Sequence, residues 1–298
     1  MKNWKLIPIA LAFFATFKFS SATCSAATTI NSTNKFSYGA NIGWINWAGN
    51  DANGAVIGEY VCSGYIYSAN VGWINLGSDA PTNGIQYRNT APSDFGVNHD
   101  GEGNLRGFAY GANIGWINFE SNGKAKVNLS NGHLSGSVYS ANCGWISLSN
   151  AFAFVQTDTI RNGTDSDLDG MADAWERLKF GNLAIATAIT DFDQDGMTDA
   201  AEYGADTDPQ NALDFLQIHS YDVTFINNGF DTDSLNWSSR PTRKYRFQFR
   251  NALDANSPWT DTGFVFPASA GTNTEEKVTF SFTSAQRFFR VEAIRLLP

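Results

Sequence analysis

Between residues 28 and 152 the chain writes one motif four times: Tyr38-Gly-Ala-Asn-Ile-Gly-Trp44-Ile, Tyr67-Ser-Ala-Asn-Val-Gly-Trp73-Ile, Tyr110-Gly-Ala-Asn-Ile-Gly-Trp116-Ile and Tyr139-Ser-Ala-Asn-Cys-Gly-Trp145-Ile. Such self-similarity marks a modular array, whose copies bury their apolar faces on one another. The tyrosines lie 29, 43 and 29 residues apart, so a two-motif block of 72 residues is itself duplicated. Extra residues at 81–98 join the blocks. Asn-x-Gly is turn chemistry and its flanks alternate with period two, which predicts a β-hairpin per copy. Cys62, Gly64 and Ile66 align with Leu105, Gly107 and Ala109 and with Leu134, Gly136 and Val138 on one strand face. Beyond the turn, Ile74, Ile117 and Ile146 share a face with Leu76, Phe119 and Leu148, while the tryptophans point the other way. Each hairpin therefore has an aliphatic side and a Tyr/Trp side, with a preceding strand such as 124–129. A solenoid, a propeller or a stacked sandwich each satisfies this pattern.

The Tyr/Trp rows, made of Tyr38, Trp44, Tyr67, Trp73, Tyr110, Trp116, Tyr139 and Trp145, admit two readings. Exposed, they form a ligand platform for sugar rings or another protein, because flat aromatics give contact area with little entropy loss. Buried, they pack between layers, with Asn41, Asn70, Asn113 and Asn142 closing the turns through their side chains. Packing is the favoured expectation, since the same residues recur in copies that cannot all face one ligand. Cys62 and Cys143 replace apolar residues of the repeat, and either a disulfide between them or two buried thiols fits.

The first residues read as a secretory leader over 1–26. Lys2 and Lys5 precede an apolar run over 6–17, and small residues follow through Ala26 and Ala27. The run is short for a bilayer span, so no transmembrane anchor is expected after cleavage. Losing Lys2, Lys5 and Lys18 with the leader leaves 17 basic residues against 29 acidic ones, which argues against a nucleic-acid partner. A secreted, extracellular, cell-surface or periplasmic location is expected.

Nearly all of the acidity lies between residues 165 and 208, and there it has a pattern. Asp165-Ser-Asp-Leu-Asp-Gly-Met-Ala-Asp-Ala-Trp-Glu176 and Asp191-Phe-Asp-Gln-Asp-Gly-Met-Thr-Asp-Ala-Ala-Glu202 place oxygen donors at positions 1, 3, 5, 9 and 12 of one frame. Asp165, Asp167 and Asp169, like Asp191, Asp193 and Asp195, offer carboxylates at 1, 3 and 5. Met171 and Met197 offer backbone carbonyls at 7, Asp173 and Asp199 act at 9, and Glu176 and Glu202 close the shell at 12. Gly170 and Gly196 take the sharp turn at position 6. Two calcium ions are the cofactors this frame predicts. A short helix over 172–179 is expected to leave the first loop and a shorter one over 199–203 the second, with none entering the first.

These loops resemble the thrombospondin type 3-like and dockerin-like EF-hand calcium repeats of secreted bacterial proteins over residues 165–209, notably in Asp-Gly-Met-Ala-Asp-Ala-Trp-Glu176 and Glu202-Tyr-Gly-Ala-Asp-Thr-Asp-Pro209. The resemblance implies calcium binding in a stiff connector between modules. Gly107-Phe-Ala-Tyr-Gly-Ala-Asn-Ile-Gly-Trp-Ile-Asn-Phe119 is similar to GWINF-type repeats of uncharacterised exported bacterial proteins, which brings no activity with it. From residue 221 onward six short strands with polar turns predict a small sandwich. Leu235-Asn-Trp237, Tyr245-Arg-Phe-Gln-Phe249, Leu253, Trp259 and Phe288-Phe-Arg-Val291 resemble fibronectin III-like modules. Arg240, Arg243, Lys244, Arg246 and Arg250 form a basic stretch there, more in keeping with a solvated strand face than with an anionic-glycan site.

The expected fold is therefore mainly β: a four-copy repeat domain over 28–152, a paired calcium-loop segment over 160–214 with short helices, and a β-sandwich over 217–298. No catalytic constellation is found. His99, His133 and His219 are scattered, and Glu59 and Glu102 occupy matching places without a counterpart in the other copies. The function expected is that of a non-enzymatic, calcium-binding modular protein with a structural or adhesive role, whose partners are glycans or other surface proteins. A carbohydrate-binding module using the Tyr/Trp rows and a polysaccharide-active enzyme are the alternatives.

Overall fold

The computed structural model describes residues 28–298 except 50–51, 121, 227–229, 255–256, 268–269 and 282–287. The leader expected over 1–26 lies outside the described residues. The fold is mainly β, and the chain divides into two compact units. One runs up to Ile185 and takes back Arg295–Pro298; the other is Ala186–Ile294. The calcium-loop segment divides with them, its first loop in the earlier unit and its second in the later one.

In the first unit the four motifs are four hairpins: β1 (Ile30–Gly39) with β2 (Gly43–Asn46), β4 (Cys62–Ser68) with β5 (Gly72–Gly77), β7 (Leu105–Gly111) with β8 (Gly115–Asn118), and β11 (Ser137–Ser140) with β12 (Gly144–Ser147). Short strands β3 (Val56–Ile57), β6 (Val97–His99), β9 (Lys126–Val127) and β10 (Leu134–Ser135) precede the later hairpins, and β13 (Val155–Thr157) pairs with β1. Neighbouring hairpins pair through β2–β4, β5–β7 and β8–β11, and β12 returns to β1 through Tyr38↔Ser147 and Gly39↔Ile146. The sheet thereby closes into an antiparallel barrel, which is none of the three arrangements the repeat pattern suggested.

Closure decides which face is inside. Ile45, Ile74, Ile117 and Ile146 fill the barrel with Trp47, Leu76, Phe119 and Leu148, all buried. Ile42, Val71, Ile114 and Cys143 close it at the turn end. The Tyr/Trp side faces outward, so the favoured packing expectation is overturned. An eight-stranded barrel has room inside for aliphatic side chains, and four Tyr/Trp pairs would overfill it. Cys62 and Cys143 are both buried and unbonded, and burial pushes the Cys62 thiol up to about 12. His99 is buried as well, with Nδ1 on the Gly58 carbonyl and Nε2 accepting from the Gly103 N–H; burial holds its pKa below the usual histidine range.

The four asparagines reach across the ring and do not close their own turns. Asn41 Nδ2 donates to Cys143 O, Asn70 to Ile42 O, Asn113 to Val71 O and Asn142 to Ile114 O, each at 3.0–3.1 Å. Every hairpin is thus pinned to the one before it, and the last link joins the first hairpin to the fourth. The following glycines, Gly43, Gly72, Gly115 and Gly144, hold φ between 69° and 78° beneath these amides, a conformation L side chains avoid. Asn113→Ala should lower barrel stability by about 1 kcal/mol, the usual net loss for one such bond. A melt indistinguishable from wild type would show that the ring of amides holds nothing.

Helix α1 (Asp173–Phe180) ends at Gly181 in the left-handed conformation, and α2 (Asp199–Ala205) ends at Asp206 in the same way. In the second unit β14 (Ile218–Ile226), β15 (Phe230–Ser238) and β18 (Asn273–Ser281) form one sheet, and β17 (Thr260–Phe266), β16 (Arg243–Arg250) and β19 (Phe288–Arg295) form another. Leu235 and Trp237 of the first sheet and Tyr245, Phe247, Val291 and Ala293 of the second share one core, as a sandwich requires. Several side chains of the basic stretch have partners. Arg246 pairs with Asp261 and Glu292, Arg240 with Asp214, and Arg250 lies over the Trp259 ring.

Candidate metal centres and an aromatic belt

The two acidic loops fold alike. Position 4 takes positive φ in both, 62° at Leu168 and 64° at Gln194, and position 6 does so at 98° in Gly170 and 97° in Gly196. The position-1 carboxylate accepts from the position-6 N–H, Gly170 to Asp165 at 3.0 Å and Gly196 to Asp191 at 2.9 Å. The position-7 N–H donates to the position-5 carboxylate, Met171 to Asp169 and Met197 to Asp195. In both loops the position-9 N–H donates to the carbonyl just before the loop, Asp173 to Thr164 O and Asp199 to Thr190 O, and a turn at 187–190 leads into the second. No helix enters either loop.

This wiring turns the carboxylates toward one another. Asp165, Asp167 and Asp173 bring ligand atoms within 4.8 Å of each other, as do Asp167, Asp169 and Glu176, and Asp191, Asp193 and Asp195. These clusters can hold a metal ion. Glu176 and Glu202, on the first turn of α1 and α2, are fully buried. Both oxygens of Glu176 and Oε2 of Glu202 lack any hydrogen-bond partner, as do Oδ2 of Asp169, Asp193 and Asp195. Unpaired buried carboxylates cost far more than a fold gains from them, so they must neutralise or meet a cation. Burial, followed by the charges of the neighbouring aspartates, raises the pKa of Glu176 and of Glu202 to about 8. An oxygen-only donor set of this kind suits a hard divalent ion.

Position 9 does more than the frame predicts. Asp173 accepts from the N–H and hydroxyl of Ser166 and from Arg177, and Asp199 accepts from Phe192 N–H and Thr190 Oγ1. Each clamps the start of its loop. Thr207, which the loop pattern gave no reason to single out, donates to Glu202 Oε1. Arg243, buried, donates from Nε to Gly204 O at 2.7 Å and from Nη2 to Tyr203 O at 3.2 Å, gripping the carbonyl end of α2 where the helix dipole favours a cation.

On the barrel wall the eight repeat aromatics form four cross-strand pairs: Tyr38–Trp44, Tyr67–Trp73, Tyr110–Trp116 and Tyr139–Trp145. Ring centroids lie 4.9–5.1 Å apart and the planes meet at 57–62°. All eight rings remain between 39% and 50% exposed, forming a belt of four notches, and Phe95 stands edge-on to Trp116 at 5.1 Å, so the third notch carries an additional ring. Glu59, weighed as half of a carboxylate pair, is held by Arg295, which leaves it a structural partner. Comparison with protein-family models, with curated proteins and with solved structures finds no match to this chain.

Proposed function

We propose that the chain is a calcium-binding modular protein of the bacterial exterior with a structural or adhesive role, taking two calcium ions, one through Asp165, Asp167, Asp169 and Glu176 and one through Asp191, Asp193, Asp195 and Glu202. The observation that carries this reading is the pair of fully buried glutamates, with both oxygens of Glu176 and Oε2 of Glu202 lacking a hydrogen-bond partner. Calcium supplies charge neutralisation there, and the resemblance to secreted calcium repeats supports the same ion and an extracellular setting. A carbohydrate-binding role is the second reading, favoured by the exposure of all four Tyr–Trp notches.

Calorimetric titration tests the calcium reading and carries its own internal check. With both glutamates raised to about 8, the metal-free protein at pH 7 holds protons that calcium must expel. Binding should therefore release close to one proton per ion at pH 7, tighten as pH rises toward 8, and release almost none above about pH 9. The measured heat should change with the ionisation enthalpy of the buffer. Absence of binding at millimolar calcium would remove the reading.

A further inference from the structure

The closed ring of hairpins fixes how the four notches face. Each hairpin pairs with two neighbours and the fourth returns to the first, so the Tyr–Trp pairs point outward in four directions from one barrel. Multivalent binding gains its 10²–10⁴-fold only when one ligand engages several sites at once. One stiff stretch of polymer cannot do that here, whereas separate chains can each take a notch.

The chemistry of the wall selects the ligand. The eight barrel strands carry only two charged side chains, Lys35 and Arg106, and Arg106 is paired with Glu120 at 3.8 Å. Over residues 28–152 seven acidic side chains stand against five basic ones, a formal charge of −2, so the barrel offers no strong field for a charged polymer of either sign. Two aromatic planes meeting at about 60° offer one face for stacking an apolar ring surface and one edge to confine it. We infer that the barrel is a tetravalent cross-linker of neutral polysaccharide chains, each notch holding a short stretch of a different chain. The inference rests on the carbohydrate reading above and adds its ligand charge, stoichiometry and mode of action.

The test uses the full chain in calcium with mannan, xyloglucan and mixed-linkage β-glucan, with short oligosaccharides of each, and with alginate and a polyproline peptide as comparators. The expected result is about four oligosaccharides bound per chain. Light scattering with the matching polymer should peak at an intermediate ratio and collapse when oligosaccharide is added in excess. The triple variant Trp44→Ala, Trp73→Ala, Trp116→Ala, which leaves the Tyr139–Trp145 notch, should bind one oligosaccharide with affinity within about twofold of the wild-type notch and scatter no light, its folding checked by its melt and its calcium binding. One oligosaccharide per wild-type chain without scattering, or scattering that survives in the triple variant, overturns the cross-linker and leaves the carbohydrate reading standing. Failure of every neutral glycan, or binding of alginate or polyproline in their place, overturns both.

Discussion

Glu202→Gln should weaken calcium binding at the second loop by about 100-fold or more, leave the first loop untouched, and lower the unfolding temperature of the Ala186–Ile294 unit in calcium while the barrel melts as before. The local reason is that a bidentate anionic ligand becomes a neutral amide. The wider reason is where its helix sits. Ala205 of α2 belongs to the core with Leu235, Trp237, Tyr245 and Phe247, Met197 of the loop packs against it, and Arg243 grips the helix carbonyls. Whatever holds Glu202 therefore holds part of the sandwich core. Saturation at 100 times Kd stabilises the binding state by about 2.7 kcal/mol, so removing the ion should cost this unit about that much. Differential scanning calorimetry with and without EDTA reads it directly, and a second transition indifferent to both chelation and Glu202→Gln would sink the linkage. The metal-free chain adds a signature of its own. Its glutamates titrate near 4.5 when unfolded and about 8 when folded, so the folded state binds the extra protons and chelated protein should lose stability as pH rises through that window.

Ile117→Ala and Trp116→Ala, adjacent in sequence, should behave in opposite ways. Ile117 is 1% exposed inside the barrel and its truncation should cost about 2–5 kcal/mol, through lost transfer energy and the cavity left behind. Trp116 lies on the outer wall at 43% exposure, edge-on to Tyr110, Phe95 and Phe108, and its loss should cost about 1–2 kcal/mol, less than the loss at Ile117. Chemical denaturation of the two variants side by side would reveal the orientation of every copy, since the motif is shared. A larger loss for Trp116→Ala would turn the barrel inside out.

That reversal marks the boundary of what the sequence makes legible. Period-two alternation separates Ile117 from Trp116 without ambiguity, because it follows from the pleat alone. It does not say which face is interior, since both are apolar; the interior volume of a closed ring decides, and closure depends on β12 meeting β1 across more than a hundred residues. The asparagines illustrate the same limit. Asn-x-Gly announces a turn, yet the amide of Asn41 finds its acceptor on Cys143, which no local pattern can name. The acidic clusters are legible because they lie within runs of twelve consecutive residues, where spacing alone brings carboxylates able to hold a metal ion together. The clamps made by Asp173 and Asp199 are local too, and a side-chain acceptor facing the second residue of each loop is the signal that could have found them. Thr207 and Arg243 lie outside that frame, and only the packing of α2 brings them to it.

The last four residues give the molecule a mechanical character. The chain leaves the barrel unit after Ile185 and rejoins it at Arg295, where the guanidinium holds Glu59 and Asn162 and Leu297 packs on the barrel core. A pull applied at residues 30 and 298 would therefore first meet the contacts that Arg295 and Leu297 make with the barrel unit. Ion pairs and side-chain hydrogen bonds of this kind are worth about 1 kcal/mol each, so force along the tail should release them before it opens the closed barrel.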